Sequence, residues 1–189
     1  MLKLGPLILL VNLFFSVSVF AESKYEPNTK DITKGELRKF IFSDGTKTLP
    51  NLLVLDIDEN VVEIGSNNGI LVINFWATWC APCKKEMPSL NNLAENMKLD
   101  DVRIVTVASG RNSKEAIEAF FSNNNLANLN KFRDPKGKIA IRFGVTALPT
   151  TVVVGPSRKE IGRIIGDIDW NTADIRAFFR NLLKTSKNG

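Results

Sequence analysis

An apolar strand that runs directly into a pair of cysteines is the feature that most restricts the fold of this chain. Residues 70–76 read ILVINFW, an almost continuous apolar run typical of a strand buried on both faces of a sheet. Residues 79–83 read WCAPC and contain both cysteines of the chain. Pro82 suits the first turn of a helix, where a backbone N–H would have no partner. The two cysteines are therefore predicted to lie at a strand-to-helix junction.

Three kinds of site can contain two cysteines at this spacing. A structural disulfide would close so small a ring that it stabilises a fold by only about 2 kcal/mol. A metal site would need ligands beyond two thiolates, from carboxylates or a second chain. A redox-active pair fits best, because the unpaired N–H groups and the positive end of a helix stabilise a thiolate. In this interpretation Cys80 is the exposed nucleophile, and Cys83 is shielded and resolves the mixed disulfide.

The composition excludes several other kinds of chemistry. The chain of 189 residues has no histidine, which removes Ser-His-Asp and Cys-His catalysis and every zinc site that uses imidazole. Its 25 Lys and Arg against 20 Asp and Glu give a net charge of +5. These charges are spread along the chain, so no nucleic-acid partner is expected. The length suits one folded domain better than two.

The N-terminal residues have the pattern of an export signal. Lys3 is the only charge before Glu22, and the residues between them are apolar or small. This pattern predicts that residues 1–21 are a secretory signal peptide, cleaved after Ala21. The main alternative is an uncleaved membrane anchor with residues 2–21 as the tether, and a third is a buried core helix. Either export route places the protein in the periplasm, free or anchored to the inner membrane.

The rest of the chain alternates between short strands and amphipathic helices. Residues 22–48 are predicted to form a polar tether and an N-terminal extension, and residues 49–189 the folded domain. Strands are predicted at 37–43, 49–57, 61–64, 70–76, 102–108, 151–154 and 161–165, and helices after Cys80, after Ser113, at 139–143 and after Thr172. This order predicts an α/β sandwich with a mixed central sheet, helices on both faces and a short N-terminal strand extension.

Two stretches of the sequence match the motifs of a known family. Residues 74–88 read NFWATWCAPCKKEMP, against a family pattern N-F-W-A-T-W-C-x-P-C-x-x-E-x-P, and residues 143–150 read FGVTALPT, against Y/F-G-V…P-T. From about Leu49 to Leu183 the chain therefore resembles the TlpA/ResA/DsbE-type exported thiol:disulfide oxidoreductases of the thioredoxin superfamily. It departs from them at residues 155–159, which read GPSRK where the family often has Asp-x-x-Gly.

The resemblance implies how a substrate would bind. The Leu148–Pro149 bond would be cis, which leaves the backbone of Leu148 free to pair with an extended segment of a substrate. Trp79 would flank the nucleophile and offer an apolar docking surface. The expected substrate-binding residues are Trp79, Ala81, Pro82, Leu148 and Pro149.

Glu86 matches an acid that the family carries near its cysteine pair. A partly buried carboxyl has a raised pKa and can carry a proton to or from Cys83. The alternative is a solvated carboxylate paired with a neighbouring lysine. Asn74 occupies the position of a buried acid in thioredoxins, and its amide does not titrate. The proton-relay role would therefore pass to Glu86 or to water, and the expected catalytic residues are Cys80, Cys83 and Glu86.

The resemblance also implies a function. The chain is expected to be an exported dithiol reductase of particular disulfide-bearing partners, in cytochrome c maturation or the assembly of respiratory metal sites. A membrane electron-donor protein would reduce it, and it would need no cofactor or metal beyond the Cys80–Cys83 disulfide. A reductant is favoured because the dipeptide between the cysteines supplies no cation to stabilise the thiolate. Two alternatives stay open, a general oxidase of newly exported thiols and a copper(I)-binding chaperone that uses both cysteines.

Overall fold

One mixed sheet of eight strands organises the computed structural model, which describes residues 34–65, 69–156 and 158–187. The strands are β1 (Phe40–Phe42), β2 (Leu52–Leu55), β3 (Val61–Ile64), β4 (Ile70–Trp76), β5 (Val102–Ser109), β6 (Phe132–Asp134), β7 (Thr150–Val154) and β8 (Glu160–Ile165). The helices are α1 (Ala81–Asn96), α2 (Lys114–Asn123), α3 (Lys138–Arg142) and α4 (Ala173–Lys187), and a 3-10 helix covers Gly35–Lys39. The strands lie in the order β1-β8-β7-β4-β5-β6-β2-β3.

The alternation of side chains along β4 separates two hydrophobic layers. Val72 and Trp76 belong to the layer that contains the buried sides of α1, α2 and α4. Ile73 and Phe75 belong to the other layer, which contains the buried side of α3. Successive residues of a strand point to opposite faces, so one central strand supplies both layers. The predicted α/β sandwich, with a mixed sheet and helices on both faces, is confirmed.

The direction of the strands brings three connections to one edge of the sheet. β4 is parallel to β5 and antiparallel to β7, with Phe75 opposite Thr150. β7 is in turn antiparallel to β8, with Thr150 opposite Ile165. The end of β4, the start of β7 and the end of β8 therefore lie side by side. The cysteine motif, the segment before β7 and the segment after β8 share this edge.

The N-terminal extension contributes to the same sheet. β1 pairs antiparallel with β8, with Phe40 opposite Ile164, and Leu37 of the 3-10 helix is buried. The predicted signal peptide or anchor, residues 1–21, lies outside the described residues. None of the helices that the described ranges contain is both long enough and apolar enough to cross a membrane.

β6 is the one strand described here that the sequence pattern does not predict. Its three residues include two charged side chains, Arg133 and Asp134, and all three are buried. Asp134 Oδ2 accepts hydrogen bonds from the backbone N–H groups of Ile139 (2.9 Å) and Ala140 (3.0 Å). This carboxylate satisfies N–H groups at the start of α3, which lack partners within the helix. A short strand of this composition has no apolar alternation by which a pattern could identify it.

Candidate active site

The cysteine pair lies at the N-terminus of α1, as the sequence predicts. Cys80 is the N-cap residue, and its Sγ accepts a hydrogen bond from the backbone N–H of Cys83 at 3.3 Å. The two sulfurs are joined in a disulfide whose Cα atoms are 5.3 Å apart. Pro82 occupies the first turn of the helix. A sulfur held at this position faces the positive end of the helix dipole, which stabilises the thiolate form after reduction.

The two cysteines differ in exposure less than the sequence predicts. Cys83 is fully buried, as expected, but Cys80 is only 6% exposed, so its description as an exposed nucleophile is wrong for the disulfide form. Trp79, which is 65% exposed, precedes it, and Ala77 before the motif is buried. Of the two cysteines, only Cys80 keeps any exposed surface. This difference in exposure is consistent with the predicted order, in which Cys80 attacks first and Cys83 resolves the mixed disulfide.

The predicted substrate-binding residues lie at the shared edge of the sheet. The Leu148–Pro149 bond is cis, as the resemblance implies. Pro149 is buried and Leu148 is half-buried, whereas Ala81 and Pro82 on the first turn of α1 are exposed. Their substrate-binding role stays a prediction.

A partly buried ion pair contacts the segment that leads to Pro149. Arg163 on β8 donates to both carboxylate oxygens of Glu160, from Nε to Oε1 (2.6 Å) and from Nη2 to Oε2 (2.7 Å). The same guanidinium donates to the backbone carbonyls of Phe143 (3.0 Å) and Gly144 (3.1 Å). These carbonyls follow α3 and would otherwise lack donors. The ion pair therefore connects β8 to the residues that precede the cis bond.

Glu86 is a buried acid, which excludes the alternative of a solvated carboxylate. It is only 2% exposed. Its Oε1 accepts a hydrogen bond from Asn74 Nδ2 at 2.8 Å. Its Oε2 accepts from Trp170 Nε1 at 2.9 Å and from the backbone N–H of Ile168 at 3.3 Å. The Glu86 carboxyl group, one helical turn after Cys83, therefore accepts hydrogen bonds from three donors.

Burial raises the pKa of Glu86 to about 7, despite the three donors. Loss of water disfavours the carboxylate most, and the hydrogen bonds from Trp170, Asn74 and Ile168 lower the pKa by less. The nearby charge of Asp167 raises it slightly further. A carboxyl poised near neutral pH can exchange a proton in either direction.

Trp170 and Ile168 are site residues that the sequence analysis missed. Both lie between β8 and α4, where no motif or periodicity points to them. The position of Asn74 can be derived, because alternation along β4 directs it to the face covered by α1. The same alternation along β7 places Thr151 beside it, and Asn74 Nδ2 donates to Thr151 Oγ1 at 2.9 Å.

The burial of Glu86 predicts an unusual dependence of stability on pH. The folded protein holds the Glu86 proton up to about pH 7, against 4.5 for an unperturbed carboxyl. Between these values the folded state binds more protons than the unfolded chain, so stability falls as pH rises through this window. The loss amounts to about 3 kcal/mol when the window is complete. Urea unfolding of the oxidised protein at pH 4.5 to 8 measures it.

The Glu86→Gln variant is the matched control for this measurement, because it keeps the shape and removes the titration. The chain has no histidine, so few other side chains change charge in this window. We expect the downward slope to vanish in the variant. An equal slope in both proteins would show that Glu86 ionises at its ordinary pKa.

The comparisons with known proteins agree with this geometry. Residues 68–160 match a family model described as thioredoxin-like. The chain is 32% identical over 136 residues to the thiol-disulfide oxidoreductase ResA of Bacillus subtilis, an alignment that covers 71% of this chain and 73% of ResA. It is 30% identical over 126 residues to the thiol:disulfide interchange protein DsbE homolog of Paracoccus denitrificans, covering 67% of this chain and 64% of that protein.

Solved structures show the same fold at lower identity. The crystal structure of StoA from Bacillus subtilis covers 68% of this chain and 97% of its own, with a TM-score of 0.58 and 23% identity. A thiol:disulfide interchange protein DsbE from Chlorobium tepidum covers 74% and 96%, with a TM-score of 0.60 and 22% identity.

Fold, cysteine pair and sequence relatives lead to one assignment. A CxxC pair at the start of a helix, beside a cis-proline, is the arrangement of a redox-active disulfide. In the described ranges no three side chains of Cys, Asp or Glu cluster in a way that could hold a metal ion. The chain belongs to the thioredoxin-like thiol-disulfide oxidoreductases of the ResA and DsbE type.

Proposed function

We propose that this oxidoreductase is an exported dithiol reductase of specific disulfide-bearing proteins. The Cys80 thiolate attacks one sulfur of the client disulfide and forms a mixed disulfide, and the other client sulfur leaves as a thiolate. Cys83 then attacks the Cys80 sulfur and releases the second client thiolate. Two electrons pass to the client, and the Cys80–Cys83 disulfide forms. The difference in exposure between the two cysteines supports this order, because only Cys80 keeps surface that a client can reach.

Glu86 supports the movement of protons in this cycle. Cys83 must lose its proton before it can attack, and in a fully buried site water is a poor acceptor for that proton. Glu86 follows Cys83 by three residues on α1, which is close to one turn, so both side chains lie on the same side of the helix. With a pKa raised to about 7, its carboxylate takes the proton at neutral pH and returns it to solvent afterwards.

The client docks on the edge of the sheet that carries the cysteines. Trp79 is large, apolar and 65% exposed beside the cysteine pair, and tryptophan is enriched among the residues that dominate binding interfaces. Ala81 and Pro82 continue this surface on α1. Leu148 presents its backbone before the cis bond, where an extended client segment can pair with it.

The proposed direction rests on the residues around Cys80. Strong oxidants owe their potential to a highly stabilised thiolate. Here Ala81 and Pro82 separate the cysteines and add no charge, so the helix terminus is the main stabilising group. A reductant of this kind is regenerated by a membrane electron donor. Its clients would belong to cytochrome c maturation or to respiratory metal-site assembly. The protein would meet them in the periplasm, to which residues 1–21 would direct it as a signal peptide or a membrane anchor.

The equilibrium redox potential tests the proposal. The domain is titrated against a glutathione or dithiothreitol series at pH 7, and Trp fluorescence reports the state of the pair through Trp79. We expect a potential of about −230 mV or lower, in the range of glutaredoxin and thioredoxin. A value near −120 mV, that of a strong oxidant, would replace the proposal with a general oxidase of newly exported thiols.

A further inference from the structure

The segment between β8 and α4 is fastened along one side of α1. We define it as the 166–172 strap. Asp167 Oδ2 pairs with Lys85 Nζ at 2.9 Å. The backbone N–H of Trp170 donates to Ser89 Oγ at 3.1 Å. Asn171 Oδ1 accepts from Asn96 Nδ2 at 3.3 Å. Together with the two donors to Glu86, these contacts hold the strap against the helix that carries the cysteines.

We propose that Trp170 is a positioning residue for the Glu86 carboxyl: its indole N–H and the backbone N–H of Ile168 hold Oε2, and the proton is taken and released at Oε1. This inference rests on the proposed role of Glu86 as a proton carrier. Beyond that role, we infer that Oε1 is the oxygen that carries the proton and that Trp170, which lies outside α1, determines this choice.

The hydrogen bonds of the two oxygens differ. A carboxylate oxygen has two lone pairs in the carboxyl plane. Oε2 accepts from Trp170 and from Ile168, so both of its lone pairs are occupied. Within the described ranges Oε1 accepts only from Asn74 Nδ2, which leaves one lone pair for a proton. A proton on Oε2 would displace a donor in a buried site, and the donor would lose its partner.

Asn74 keeps its hydrogen bonds when Oε1 takes a proton. Its Nδ2 donates to Oε1 at 2.8 Å and to Thr151 Oγ1 at 2.9 Å. A proton on the free lone pair of Oε1 leaves both bonds in place, because neither of them uses that lone pair. Protonation at Oε1 therefore leaves no donor without its partner, in contrast to protonation at Oε2.

Few charged groups face this carboxyl. Asp167 on the strap raises the Glu86 pKa, but its own pKa is lowered by the hydrogen bond and charge of Lys85 on α1. The strap also carries Asp169, whose Oδ1 accepts from the backbone N–H of Asn171. β4 and β7 contribute Asn74 and Thr151, which do not titrate. On α1 the other ionisable side chains, Lys84 and Glu95, are exposed, and the Cys83 thiol is absent from the oxidised protein.

Removal of the Trp170 N–H tests the proposal in the oxidised full chain. Trp170→Phe deletes the donor, and replacement of Trp170 by 3-benzothienylalanine exchanges N–H for sulfur while keeping the bicyclic shape. The pKa of Glu86 is read from its carboxyl carbon by NMR after 13C labelling of glutamate. Loss of a donor to the carboxylate is expected to raise this pKa by about one unit in both variants. No change in the shape-preserving variant would overturn the positioning role.

Trp76→Phe is the matched control, because the Trp76 indole N–H is buried without a partner in the described structure. It is expected to leave the Glu86 pKa unchanged although it also removes a core indole. In the unsubstituted protein the Asn74 side-chain amide signals should titrate together with Glu86, while the Trp170 indole signal keeps its hydrogen-bonded shift. Movement of the indole signal alone would place the proton on Oε2 and overturn the assignment to Oε1.

The rate of client reduction distinguishes this inference from the proposed function. If the Glu86 pKa and the midpoint of the pH–rate profile both rise in the Trp170 variants, both conclusions hold. If the pKa rises and the profile does not move, Trp170 still positions the carboxyl, and the proton-carrier role of Glu86 falls.

Discussion

Cys80→Ser is expected to abolish client reduction, and Cys83→Ser to stop the reaction at a covalent mixed disulfide. A serine hydroxyl is not ionised at neutral pH and does not attack disulfides, so loss of Cys80 removes the first step. Cys80 of the Cys83→Ser variant still attacks, but no second thiol follows, and the client remains attached. We expect turnover in both variants to fall by at least about three orders of magnitude.

Non-reducing electrophoresis and mass spectrometry of each variant with a disulfide-bearing test protein separate the two outcomes. The trapped species should appear in Cys83→Ser, disappear with dithiothreitol and be absent from Cys80→Ser. The double Cys80→Ser/Cys83→Ser variant is the background control. Trapping through Cys83 in the Cys80→Ser variant would reverse the assigned roles. It would also contradict the burial of that sulfur, which is complete in the oxidised structure.

Arg163→Met is expected to lower the free energy of unfolding by about 3–5 kcal/mol, because it leaves a buried carboxylate without its partner. The Glu160 side chain is only 5% exposed, and among the residues that the structure describes the other cation within reach is Lys47 at 3.8 Å. Methionine fills a similar volume, so the change removes the charge and donors with little cavity. The carbonyls of Phe143 and Gly144 lose their donors as well. Denaturant unfolding at constant pH measures the effect.

The double variant Arg163→Met/Glu160→Leu is the control for this explanation. With both charges removed, an apolar pair of similar size should recover most of the lost stability, as replaced buried ion pairs often do. Additive losses in the double variant would instead mean that the contacts of Arg163 with the two carbonyls, and not the ion pair, stabilise the fold. The rate of client reduction by Arg163→Met then shows how far the position of the segment before Pro149 depends on the contacts of Arg163 with these carbonyls.

Local signals were sufficient to predict the part of the site that is contiguous in the sequence. The apolar run of β4 and the proline after Cys80 identify the strand-to-helix junction, since each signal acts within a few residues. The Leu148–Pro149 cis bond was implied by the resemblance, because X-Pro bonds are mostly trans and proline alone does not indicate the cis form.

The residues that the sequence did not reveal depend on contacts between distant segments. Trp170 meets Glu86 across 84 positions of the chain. The exposure of Cys80 depends on how the neighbouring connections pack, and β6 forms because β5 and β2 lie on either side of it. Such features arise from tertiary packing, to which helix and strand periodicities are insensitive.

The short strand β1 also determines what the sheet offers to other molecules. β8 is six residues long, and without β1 its outer backbone groups would form an open template for strands of other chains. β1 covers the β8 residues Gly162, Arg163 and Ile164 and ends after three residues of its own. The extension thereby shields a sheet edge that would otherwise promote aggregation. In this respect the N-terminal extension protects the redox domain from edge-to-edge association through β8.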